Sequence, residues 1–94
     1  MAGEPSFEWD EAKRQSNVAL HGVDFEAARR LTWAETVESP DRWRDYGEER
    51  VVALGPIDGR LHAMVFTRRG DAVRVISLRR ANDREQRAWA ARTS

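Results

Sequence analysis

The chain has 94 residues, 40% hydrophobic and 34% charged, with 16 basic and 16 acidic side chains and no cysteine. Such totals fit one soluble globular domain spanning residues 1–94, and they exclude a disulfide framework, a thiolate nucleophile and a Cys-based zinc site. No apolar run approaches the ~18 residues of a membrane span, and Glu4 stands where a signal peptide would carry basic residues, so a cytoplasmic location is expected.

The neutral sum conceals a division. Residues 1–59 hold 13 acidic and 7 basic side chains and residues 60–94 hold 3 and 9, so the two parts carry −6 and +6. All but one of the basic residues are arginine, whose planar, permanently charged fork suits phosphate.

In chain order, "FEWDEAKRQSNVALHG" predicts a short extended segment and then a helix, with Asp10 as N-cap and Gly22 just past the C-terminus. Asp24 can cap a second helix in which Phe25, Ala28 and Leu31 or Thr32 recur on one face. Together these make an N-terminal helical hairpin. "AETVES" predicts an edge strand ended by Pro40, and "DRWRDYGEE" a polar loop with two aromatic residues, of which Tyr46 could stack on a base. "RVVALG", "LHAMVFTRR" and "AVRVISLRR" then form an antiparallel meander, with Asp58-Gly59 as a favoured hairpin turn and "RRGD" as the second. A sheet of three to four strands results, in an α+β fold. Asn82 and Glu85 form a capping box that starts a C-terminal helix, whose thin apolar stripe leaves Trp89 as its single anchor. Trp9, Trp33 and Phe66 belong to the core.

The densest basic constellation is Arg68, Arg69, Arg74, Arg79 and Arg80. Arg68 and Arg69 end one strand and Arg79 and Arg80 end its antiparallel neighbour, so the arginines form a track and not a point. Strict alternation puts Arg74 and Arg80 on the face of Ile76 and Leu78, with Arg79 on the other. Each needs a charge partner or solvent, and a carboxylate of the acidic half can supply the first. Lys13, Asn17 and His21, four apart on the first helix, form a stripe suited to acid–base or phosphate-contacting roles; His21 can equally cap free carbonyls at the helix end. Glu49, where the loop enters the sheet, can serve as a base or as an ion-pair partner. Two histidines distant in sequence give weak grounds for a metal, and no P-loop, G-x-S-x-G, HExxH or dinucleotide fingerprint is present; no cofactor is expected.

Three stretches in order, "FEWDEAKRQSNVALHGVDFEAA", "DYGEERVVALG" and "RVISLRRANDREQRAW", together resemble the BrnT family of toxins from bacterial type II toxin–antitoxin systems. The resemblance implies a RelE-like ribonuclease fold, RNA cleavage that arrests growth, and neutralisation in a hetero-oligomer with a BrnA antitoxin that binds DNA. The matching positions are Lys13, Asn17, His21, Glu49, Arg50, Arg74, Ser77, Arg79 and Glu85. Leu78 replaces a residue usually small in the family, and Trp89 a common tyrosine. The expected reaction is metal-independent attack of the RNA 2′-hydroxyl on the adjacent phosphate. Arg79 and Arg74 would stabilise the developing charge, His21 or Glu49 would move protons, and Lys13, Asn17, Arg68, Arg69 and Arg80 would hold RNA. Non-catalytic nucleic-acid binding, or docking of an acidic protein by the basic half, are the rival classes.

Overall fold

A computed structural model describes residues 5–41 and 47–94; Tyr46 and the other loop aromatic, Trp43, lie outside them. Strand β1 (Ser6–Glu8) leads to helix α1 (Glu11–His21), two 3-10 helices (Phe25–Arg30 and Trp33–Glu35), β2 (Val37–Pro40), β3 (Val51–Ile57), β4 (Arg60–Arg69), β5 (Ala72–Arg80) and helix α2 (Asp83–Thr93). The sheet order is β1-β5-β4-β3-β2. Among the described residues no helix is long and apolar enough to cross a membrane.

The expected meander is present, with Asp58 and Gly59 both at positive φ (52° and 78°) as a type I′ turn demands. The sheet itself differs from the expectation. It is a mixed, five-stranded sheet and not an antiparallel one of three to four strands, because Ser6–Glu8 pairs in parallel with Ala72–Arg74. A segment this short carries no local signal for a partner so distant in the chain.

The helical hairpin is also corrected. Only α1 is an α-helix, and Phe25–Arg30 is a 3-10 helix capped by the Asp24 carboxylate, which accepts from the Glu26 N–H. Its buried residues explain the choice: Phe25, Ala28 and Leu31 recur every third position, and in a 3-10 helix such residues eclipse on one line. The chain is also required at the edge of β3 at once, where Leu31 bridges Ile57 and the Thr32 N–H donates to the Pro56 carbonyl.

Phe25, Ile57, Met64, Phe66, Val75 and Leu78 form the fully buried centre, between the sheet and the segment that follows α1. Trp9 and Trp33 pack edge-on against Phe25 and Phe66. Strict alternation along β5 would send Val75 and Leu78 to opposite faces. A β-bulge prevents it: Val65 pairs with Ser77 but Phe66 with Val75, so Ile76 is the extra residue. Past the bulge every side chain of β5 changes face.

Helix α1 buries a single residue, Asn17, and buries it for its hydrogen bonds. Its Nδ2 donates to the Leu78 carbonyl (2.6 Å) and the Val23 carbonyl (2.9 Å), while Oδ1 accepts from the Leu78 N–H (3.2 Å). Because β1 ends beside Arg74, the outer edge of β5 beyond it would otherwise present bare backbone groups. The Asn17 amide takes the place of the missing strand. Removing it as Asn17→Ala leaves both backbone groups of Leu78 without these partners, and is expected to cost about 2–3 kcal/mol. Chemical denaturation checks this; a loss under about 0.5 kcal/mol, the range of an ordinary surface change, would show that the clamp is dispensable.

Candidate nucleic-acid interface

The bulge decides which arginines share a face. Arg74 pairs with Thr67 and Arg79 with Ala63, whereas Arg80 pairs with His62. Thr67 and Ala63 lie on one side of β4 and His62 on the other. Arg74 and Arg79 therefore stand together on the face away from α1, and Arg80 turns to the α1 side. This corrects the alternation expected from sequence, which had joined Arg74 with Arg80. Four residues of β4 separate the two rows, about 13 Å at the rise of a strand, a span that two arginine side chains can bridge.

Each of these two arginines faces a carboxylate. Arg79 donates from both terminal nitrogens to Glu85, at 2.7 and 2.8 Å, and Arg74 lies 3.6 Å from Glu8 on β1. Glu85 occupies its position because the capping box fixes it there: Oε1 also accepts from the Asn82 N–H, and the Glu85 N–H donates to the Asn82 side chain. The Arg79 fork holds the Glu85 carboxyl below its ordinary pKa, partial burial opposes this and the Asn82 backbone bond adds to it. The same hydrogen bond raises Arg79.

Two polar contacts tie helix α2 to the body of the fold among the described residues. Glu85 grips Arg79, and the Trp89 indole N–H donates to the Glu35 carbonyl at 2.7 Å. The sequence points to Trp89 as the anchor, though as an apolar one, and gives no sign of the Arg79–Glu85 pair. Glu85 had been recognised as the N3 residue of a cap, and the signal that would have found its partner is that a glutamate so placed still has a second oxygen to satisfy beside the strand's last arginines.

The remaining candidates lie at separate places. Arg68 reaches Glu38 on β2 with two bonds of 2.9 and 3.0 Å, lies 4.9 Å over the Phe66 ring, and is raised in pKa chiefly by the Glu38 bond. Arg69 lies 3.4 Å from Glu48. Glu49 is exposed and its carbonyl accepts from Thr67 Oγ1 at 2.7 Å, so it belongs to the Arg74 end. There it lines a cavity of about 510 Å³ with Glu38, Asp41, Glu48 and Arg50, an acidic setting. His21 is half-buried at the C-terminus of α1, and its neighbour Gly22 lines a cavity with Arg80, so it belongs to the other end. His21 and Glu49 do not meet at one point. Lys13 is exposed on α1, while the Asn17 amide is buried and engaged with backbone. Among the described residues no three His, Asp or Glu side chains gather as a metal site would require.

The two acidic and basic parts of the chain therefore meet across the sheet, with Arg74 and Arg79 on one face held by carboxylates in the manner that phosphate oxygens would hold them. Comparison with curated proteins gave no match. A family model described as the ribonuclease toxin, BrnT, of a type II toxin–antitoxin system matches residues 9–85, a span that includes α1, the whole meander and Glu85, and the chain belongs to that family.

Proposed function

We propose that this ribonuclease toxin cleaves RNA on the face that carries Arg74 and Arg79, without a metal, by attack of a 2′-hydroxyl on its own 3′-phosphate: the 2′-O–P bond of a cyclic phosphate forms as the P–O5′ bond breaks, and the departing 5′-oxygen takes a proton from water. The observation that carries this reading is the bulge, which brings the two guanidinium groups to one face with a cross-strand threonine, Thr67, beside Arg74. A phosphodiester at Arg79 replaces the Glu85 carboxylate on the fork, since both present two oxygens to two N–H donors. The charge that grows on the phosphorane then meets donors already in place. Glu85, displaced by one phosphate oxygen, remains beside the reacting group as the proton acceptor at that end. His21 and Glu49, at opposite ends of the sheet, would act on different phosphates, and Lys13, Arg68 and Arg69 would contact flanking RNA. The fold assigned to this activity is RelE-like. The partner is a protein antitoxin of the BrnA kind that binds DNA, in a hetero-oligomer formed in the cytoplasm.

Purified protein incubated with RNA in EDTA is expected to give fragments from RNA and none from DNA. Arg79→Ala should lower the cleavage rate about 100-fold or more, the usual effect of removing one electrostatic donor from a transition state. Equal rates for the folded variant and the wild type would reject this site. A second reading, binding without cleavage, is favoured by the ion pairs themselves, which neutralise both arginines at rest; it requires salt-sensitive RNA affinity and no products.

The latch has its own pH signature. The folded-state pKa of Glu85 is lowered, so its contribution to stability is complete above the unfolded carboxylate value of about 4.3 and disappears as pH falls through the lowered value. Amide exchange in α2 should accelerate over that acid range relative to the sheet. In Glu85→Gln, which can keep the capping box but not the charge, protection of α2 should be lower at neutral pH and lose this dependence; an unchanged profile would show that the ion pair does not hold the helix.

A further inference from the structure

On the α1 side of the sheet, opposite Arg79, a cavity of about 440 Å³ opens between the turn after α1 and the β3–β4 hairpin, lined among others by Gly22, Val23, Arg60, His62 and Arg80. Its carboxylates already have partners. Asp24 binds Arg14, Glu26 binds Arg29, and Asp58 binds Arg30 through two bonds of 3.0 Å. Arg60 and Arg80 differ: both are exposed, and neither side chain makes an ion pair or hydrogen bond among the described residues. The three carboxylates of the lining are held by Arg14, Arg29 and Arg30, which leaves the Arg60 and Arg80 guanidinium groups available to an anion entering the cavity.

Between them lies an imidazole. His62 is only 8% exposed, and its single ring contact is Nδ1 with the Arg60 carbonyl at 2.7 Å. A carbonyl only accepts, so Nδ1 carries the hydrogen and Nε2 is the atom left for a ligand. The ring is largely buried, yet Nε2 keeps access to solvent and so is open to a ligand. His62 itself lines the cavity that the two arginines flank.

We propose that this cavity is a second phosphate subsite, in which Arg60, Arg80 and His62 Nε2 hold a phosphodiester of the RNA strand that reaches Arg79. The inference rests on the ribonuclease reading above. It follows from the adjacency of Arg79 and Arg80, which are consecutive residues on opposite faces at the end of β5. A strand passing that end meets one fork on each side, so the subsite grips RNA next to the cleaved bond without touching it. The three residues are therefore binding residues and not catalytic ones.

The test uses a 2′-O-methyl RNA oligonucleotide, which cannot be cleaved by its own hydroxyl, and inorganic phosphate as a separate probe. The oligonucleotide should shift the His62 ring nitrogen resonances of the wild type. The variant Arg60→Ala with Arg80→Ala, both exposed positions, should bind it about tenfold more weakly, with a salt dependence shallower by about 0.7 per lost phosphate contact. Cleavage by the wild type together with unchanged affinity in the double variant would overturn the subsite and leave the ribonuclease intact. Oligonucleotide binding at His62 by a protein that cleaves no RNA would support the subsite and overturn the enzyme. Shifts with inorganic phosphate and none with the oligonucleotide would mean that the cavity takes the free anion, and would overturn the RNA assignment.

Discussion

The architecture depends on the carboxamide of Asn17 gripping the backbone of Leu78. Helix α1 has no other buried side chain, so its attachment to β5 is a matter of two directed bonds to Leu78, with a third to Val23 in the segment that follows the helix, and little apolar area. Those bonds act where the strand has just changed face at the bulge. Holding the Leu78 peptide groups outward to Asn17 fixes its side chain inward, where it is fully buried. The next residue, Arg79, must then point to the far face, and Arg80 back toward α1. A polar group that looks misplaced in a core thus decides the direction of the cations that follow it.

The uneven charge distribution has a structural counterpart. Acidic residues of the first part bind arginines of the second across strands: Glu8 with Arg74, Glu38 with Arg68 and Glu48 with Arg69. Pairs this exposed contribute little to stability, about 0–1 kcal/mol each. The same weakness makes them exchangeable, because a phosphate that brings a full charge and more acceptors can replace a half-exposed carboxylate at small cost. Neutrality at rest and affinity for a polyanion are therefore compatible.

Much of this was legible in the sequence, and what was not has a common cause. Asp10, Gly22, the Asp58-Gly59 turn and the Asn82–Glu85 box are signals contained within a few residues, and each appears as read. Parallel pairing of Ser6–Glu8, the Asn17–Leu78 clamp and the Ile76 bulge all depend on groups far apart in the chain. The bulge was the costliest to miss. One extra residue inverts every later assignment on a strand, which is why Arg79 and Arg80 were placed on each other's faces. Spacing alone brought Asn17 into a stripe with Lys13 and His21; burial separates them, since an asparagine has the donors and acceptor to complete a sheet edge and a lysine does not. His62 carries no local sequence signal of its surroundings, and only the register with Arg80 shows what it stands beside.

The last helix connects these features. With no buried residue of its own, α2 cannot hold its position by apolar packing of the kind that fixes most helices, and depends on Glu85 at one end and Trp89 further along. Glu85 is bound to the arginine that the proposed reaction assigns to the scissile phosphate, so on that proposal substrate and Glu85 would compete for the same two N–H donors. The capping box survives that competition, because it uses the Asn82 side chain and backbone and not Arg79. A phosphate at Arg79 would then loosen the Glu85 contact without unwinding the helix, which Trp89 continues to hold. Any protein that holds α2 down would then oppose RNA binding by the same free energy with which RNA opposes that protein, since linkage between two ligands is reciprocal.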